Sequence, residues 1–327
     1  MRAIVWIGAL GLLGACSSGG SPSSRVEAEV IPRHRRGGPA DGPAEPSGGQ
    51  VDGQVDGQVD GHSWASPRTN STAAPPAGDD TGAESSSREP GSATSSSSPV
   101  PLAPEAVELS AADGVVVHGL LHAVESDEPR PIVLLFHQAG SNAAEYAPIA
   151  PKLQTLGLHA LAIDQRSGKR RFGRDNLTVQ ALGKSTGFGS AYRDLVAALL
   201  WAKQGGYSKI LVWGSSYSAA LVFRLASEHG DSLAAVLAFS PGEYMGGKHT
   251  VAGWAQRTRV PVFITCAPGN EVEAARAIAK AAGESAVLHV PSRGVHGSSI
   301  LHPSRNPAGH RQVWAAVEDF LERVVSV

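Results

Sequence analysis

Short, dense apolar runs recur along the C-terminal two thirds of the chain, and stretches with helical spacing separate them. Ile132–Phe136, Leu158–Ile163, Ile210–Trp213, Leu233–Phe239 and Val260–Thr265 are nearly continuous in apolar residues, and Ala286–Val290 is a further run of this kind. Such runs predict strands buried on both faces. Ahead of them, Ala106–Ser110 and Val115–His122, separated by Ala112-Asp113-Gly114, read as a hairpin. Helical spacing covers Ala191–Lys203, Ala219–Ala226, Glu271–Ala282 and Arg311–Val325. It also covers Ala143–Leu156, where Pro148 and Pro151 should shorten or kink the helix. Between Ile163 and Gly189 the pattern is irregular. A hairpin followed by alternating strands and helices predicts an α/β domain with a mostly parallel sheet covered on both faces.

The pattern fails before Glu105. Arg2 and the apolar stretch Ala3–Leu13 form a segment too short to span a bilayer comfortably, and it ends in Leu13-Gly14-Ala15-Cys16. That ending resembles the lipobox of bacterial lipoproteins, which implies a signal peptide over residues 1–15 and a lipidated Cys16. Ser17 is not the Asp that holds such lipoproteins at the inner membrane, so the resemblance points to a chain exported and lipid-anchored in the cell envelope, leaning toward the outer membrane. From residue 16 to 104 the chain is rich in Ser, Gly, Pro, Ala and Asp, and Gly-Gln-Val-Asp occurs in tandem between Gly49 and Asp60. This stretch has too little apolar surface to offset its ordering entropy, so it reads as a disordered linker with a span on the order of 50 Å. The basic cluster Arg33-His34-Arg35-Arg36 reads as a solvated charge run.

Residues 105–327, about 220 in number, suffice for one large core. A formal net charge of −2 gives no support for a nucleic-acid partner. With Cys16 taken by the anchor and only Cys266 left, no intrachain disulfide is expected.

The chemistry centres on Lys209–Phe223, where the run Ile210–Trp213 breaks at Gly214-Ser215-Ser216-Tyr217-Ser218 and a helix follows. A strand, a tight turn of small residues holding a serine, and a helix form a nucleophile elbow. Centred on Ser216, the flanks two residues away are Gly214 and Ser218, both small; centred on Ser215, one flank would be Tyr217. Ser216 is therefore the nucleophile candidate. His296, in the loop Pro291–Ser299 after the last strand, is the candidate base, ahead of His289, His302 and His310. For a tetrahedral oxyanion, the Tyr217 backbone N–H at the helix start is one donor. The Ala139 N–H is the other, with Gln138 the next choice.

These loops, together with His137-Gln138-Ala139-Gly140, Asp164-Gln165-Arg166-Ser167-Gly168 and Gly294-Val295-His296-Gly297-Ser298, resemble the α/β-hydrolase superfamily. They are most similar to its small bacterial serine hydrolases of the dienelactone-hydrolase-like and esterase branches. The resemblance implies an eight-stranded, mostly parallel sheet and hydrolysis of esters, lactones, thioesters or amides, with no cofactor. Dienelactone hydrolases use a cysteine, so Ser216 favours a carboxylesterase acting on a small-molecule ester. The short Pro241–Arg259 segment implies no large lid.

The resemblance also asks for an acid after Val260–Thr265. Counting without gaps, the usual position falls on Asn270, and Glu271 lies one residue later with a longer side chain. Glu271 is the acid of choice, with Asn270 and Glu243 as alternatives and Glu273 facing away. A different class of function stays open, a catalytically inactive hydrolase-like binding or structural module of the cell envelope. Gly187–Tyr192 does not follow a strand, so it is no dinucleotide loop, and no run has metal-ligand spacing.

Overall fold

The computed structural model describes residues 99–326. The expected signal peptide, Cys16 and the linker up to residue 98 lie outside the described residues. The described chain opens with β1 (Val100–Pro101), β2 (Glu105–Ser110), β3 (Val116–His122) and β4 (Val124–Glu125). β1 and β4 form a small antiparallel pair, so among the described residues strand pairing includes Val100, a few residues ahead of Glu105. β2 and β3 are the expected hairpin, with Gly114 at φ +80 in its turn.

Then follow β5 (Ile132–Phe136), α1 (Ala150–Thr155), β6 (His159–Ile163), α2 (Leu177–Leu182) and α3 (Phe188–Gln204). The chain continues through β7 (Ile210–Ser215), α4 (Tyr217–His229), β8 (Ala235–Phe239), α5 (Thr250–Arg257) and β9 (Val262–Thr265). It ends with α6 (Val272–Ala282), β10 (Ala286–His289) and α7 (His310–Val325). One eight-stranded sheet has the order β10-β9-β8-β7-β5-β6-β3-β2. β3 runs antiparallel to both neighbours, and the pairings from β6 to β10 are all parallel.

Period-two alternation sends the side chains of one strand into two cores. Ile132, Leu134 and Phe136 of β5 join the core under α3 to α6, while Val133 and Leu135 join the one under α1 and α7. All five are fully buried, which is why the run lacks polar residues.

Three local departures stand out, two of them with an evident physical cause. The helix expected over Ala143–Leu156 splits into a 3₁₀ turn (Ala143–Tyr146) and α1, because Pro148 interrupts it and Pro151 restarts it in the first turn. The irregular stretch after β6 contains α2, capped by the Asn176 side chain and ended by Gly183 in the left-handed region. The short segment after β8 contains α5.

Buried ion pairs hold the loop between β6 and α3. The Asp164 carboxylate accepts from Ala143 N–H at 2.8 Å, Leu177 N–H at 2.9 Å and the Arg174 guanidinium. Arg166 reaches Asp194 on α3 and Asp113 in the hairpin turn. The Arg166 guanidinium holds the Asp113 carboxyl down to about 2.

Candidate active site

The site is assembled beyond the carboxyl ends of β5, β7, β8 and β9, as expected for a parallel sheet. β7 ends at Ser215 and α4 starts at Tyr217, so Ser216 alone makes the turn. Its backbone sits at φ 59, ψ −121, a conformation that costs an L-residue about 1–3 kcal/mol. The surroundings over-determine it: Ser216 N–H donates to Phe239 O of β8 at 2.8 Å. A Cβ on Gly214 would lie 2.3 Å from the Ser218 carbonyl oxygen, so only glycine fits two residues before the turn.

Ser218 stands where the elbow pattern has glycine. Its hydroxyl donates to His137 O at 2.6 Å and accepts from Gln165 Nε2 at 2.9 Å, so the additional polar group is buried but paired. Ser215, the rival register, points elsewhere: its Oγ accepts from Ser298 N–H at 2.9 Å and braces the histidine loop.

His296 bridges Ser216 to Glu271. Its Nε2 lies 2.7 Å from Ser216 Oγ and its Nδ1 lies 2.7 Å from Glu271 Oε1. A carboxylate only accepts, so Nδ1 carries the proton and Nε2 accepts from the serine hydroxyl. The second oxygen of Glu271 accepts from Ala267 N–H at 2.9 Å. Burial pushes the Glu271 carboxyl up, but hydrogen bonds from His296, the Ser240 hydroxyl and Ala267 outweigh it and leave the carboxyl below its usual range. It is thus ionised near neutrality.

The other acids are occupied differently. Glu243 accepts from Val251 N–H at 2.7 Å and Ala252 N–H at 2.9 Å, capping α5. Asn270 and Glu273 are exposed and away from the histidine chain. His302 and His310 bond the Glu145 and Asn306 carbonyls. His289 packs against Phe263.

The two expected oxyanion donors are differently held. Tyr217 N–H, in the first position of α4, has no intrahelical acceptor. Its phenol is buried, which holds it well above the usual tyrosine range, and it bonds Gln165 and Ser167 and stacks on Phe188. In the loop after β5, Gln138 N–H is used by the buried Glu145 carboxylate at 3.0 Å, whereas Ala139 N–H has no acceptor among the described residues. Gln138 is thereby removed as the second donor and Ala139 remains. The His137 ring donates from Nδ1 to Gln138 O at 2.8 Å and accepts at Nε2 from Gln165 N–H at 3.0 Å, so it braces this loop.

Sequence reasoning did not single out Ser240 or Tyr244. Ser240, at φ 55 after β8, accepts from Gly297 N–H at 2.8 Å and bears on Glu271. The Tyr244 hydroxyl donates to Ser240 O at 3.2 Å and lies within reach of Ser216. Neither has a pattern signal, because each owes its place to the loop after β8 rather than to any periodicity.

Residues 127–313 match the family described as serine aminopeptidase, S33 (Hydrolase_4). No curated protein matches. Among solved structures, a dienelactone hydrolase from Anabaena variabilis is similar at TM-score 0.54 and 17% identity, over 69% of this chain and 99% of that one. The Pyrococcus furiosus esterase Pf2001 is similar at TM-score 0.54 and 20% identity, over 68% and 93%. A thermostable carboxyl esterase from Bacillus coagulans is similar at TM-score 0.55 and 13% identity, over 68% and 99%. At these identities the likeness is one of fold, the α/β-hydrolase fold.

Proposed function

The chain belongs to the Hydrolase_4 family of α/β hydrolases, and from that premise we propose that it cleaves carboxylic esters, or related acyl bonds, through an acyl-enzyme on Ser216. The observation that carries this reading is the unbroken hydrogen-bonded series Ser216–His296–Glu271 behind a serine held in a strained turn. His296 Nε2 takes the serine proton as Oγ attacks the acyl carbon, and Glu271 stabilises the imidazolium that forms. The Tyr217 and Ala139 amides receive the oxyanion, and α4 adds its N-terminal dipole. His296 returns the proton to the leaving group, then activates water for deacylation. Cys16 is proposed as the lipidated anchor in the cell envelope, with the outer membrane favoured over the inner.

Fluorophosphonate labelling tests the nucleophile, since only an activated serine reacts quickly. Wild type and Ser215→Ala should label, and Ser216→Ala should not. Labelling lost in Ser215→Ala but kept in Ser216→Ala would move the elbow by one residue. No labelling of correctly folded wild type would leave an inactive binding module of the cell envelope.

A further inference from the structure

Beside His296 lies a polar pocket of about 300 Å3 lined by Gln138, Arg171, Val295, His296, Ser299 and Arg305. It shares His296 and the oxyanion loop with the site above, so whatever fills it is part of the reacting molecule or next to it. Two of its walls are guanidinium groups. Among the neighbouring arginines, Arg170 pairs with Asp175 and Arg174 with Asp164. Among the described residues, Arg171 and Arg305 have no carboxylate within ion-pair distance.

The protein holds these two charges together. Both lie over the Phe172 ring, the Arg171 guanidinium 5.4 Å and the Arg305 guanidinium 4.8 Å from its centroid. They are therefore within about one screening length, roughly 10 Å, of each other, where like charges repel. Phe172 sits at φ 53, which is rare for a bulky side chain, and with Gly173 at φ 74 it forms the tip of a tight turn. Arg171 and Arg174 close that turn with reciprocal bonds of 3.0 and 3.1 Å. The Asn142 amide donates to the carbonyls of Lys169, Arg171 and Arg174, pinning the turn to the oxyanion side of the fold. Two exposed cations with no carboxylate partner line one pocket, and the pinned, strained turn at Phe172 beside it holds them together.

We propose that this pocket binds a carboxylate carried by the substrate, so that the preferred substrate is an anionic ester with its charge on Arg171 and Arg305. The inference rests on the proposed hydrolase reading and narrows its substrate class. Guanidinium and carboxylate match as donor fork and paired acceptor. Ser299, buried at the pocket floor, adds a hydroxyl. Both guanidinium groups are exposed, which weakens each bond, so the two together correspond to about 5- to 30-fold in affinity.

The experiment uses two matched pairs: the 4-nitrophenyl monoester of glutarate with its methyl ester, and 4-butanoyloxybenzoate with its methyl ester. The first places the charge on the acyl side and the second on the leaving-group side. In wild type, kcat/KM should favour the anion in one pair by about 5- to 30-fold, and the ratio should fall as salt is added. In Arg171→Gln/Arg305→Gln that ratio should collapse toward one, while Arg311→Gln on the exposed face of α7 should keep it. Calorimetric binding of the same compounds to Ser216→Ala reports on the pocket without turnover. Charge-dependent binding without wild-type hydrolysis would keep the anion site and remove the catalytic reading. Hydrolysis with no charge preference in either pair, or a preference that survives the double substitution, would overturn the anion site alone.

Discussion

Glu271 reaches His296 from the residue just before α6, where the Cys266–Asn270 turn has used up the position a shorter acid would occupy. The additional methylene of Glu bridges that gap, and Ala267 N–H fixes the other oxygen. Glu271→Gln should lower kcat by about 10³ to 10⁴, because a neutral amide cannot stabilise the imidazolium. Turnover of a 4-nitrophenyl ester checks this beside Glu243→Gln. That second change should instead loosen the start of α5 and cost about 0.5–2 kcal/mol in a denaturant melt. Loss of turnover in Glu243→Gln with Glu271→Gln near wild type would shift the acid to β8. The Glu271 carboxyl is depressed in the folded state, so its contribution to stability is present above its unfolded pKa, near 4.3, and is lost as pH falls through the folded value. At this scale the elbow serine and the loop histidine could be read from the residues, since small flanks and loop position suffice to single them out. The acid could not be fixed so firmly, because one residue of turn geometry decides between Asn270 and Glu271.

Arg166 joins three elements: the β2–β3 turn through Asp113, the loop after β6 through its own backbone, and α3 through Asp194. Asp194 is fully buried, so removing the arginine strands a charge. Arg166→Leu should cost about 3–5 kcal/mol in denaturant unfolding, and Asp194→Leu in the same background should recover part of it. With Asp113 held at about 2, its pairing stabilises above pH 4 or so and fades toward pH 2. Asp113→Asn should flatten that part of an acid unfolding profile. The strands and long helices were legible because their apolar periods run over enough residues. α2 and α5 were not: six and eight residues give little period, and their caps come from Asn176 and the distant Glu243.

For the whole molecule, anchor and hydrolase domain are separable in the proposed arrangement. Wild type should partition into detergent, Cys16→Ser should remain unprocessed and aqueous, and a chain starting at Val100 should hydrolyse the same esters. Unmodified, water-soluble wild type would remove the lipoprotein proposal and leave the catalytic one standing. A mostly parallel sheet covered on both faces followed from the alternation of runs and its eight strands from the family resemblance, whereas the strand order did not follow, since pairing across the sheet leaves no trace in local periodicity.

That order has a kinetic consequence. Ile132 of β5 pairs with Ile210 of β7, about 80 residues further along the chain, so the centre of the sheet closes only after a costly long-range search. The strained turn at Ser216 depends on that closure and on β8, whose Phe239 carbonyl holds the serine amide. The helices and the β2–β3 hairpin rest on local contacts, which need no such search. A chain in which β8 has not docked therefore lacks the bond that holds the Ser216 amide in its strained turn. On the proposed reading, a chain whose last strands have not yet docked is therefore not yet a hydrolase.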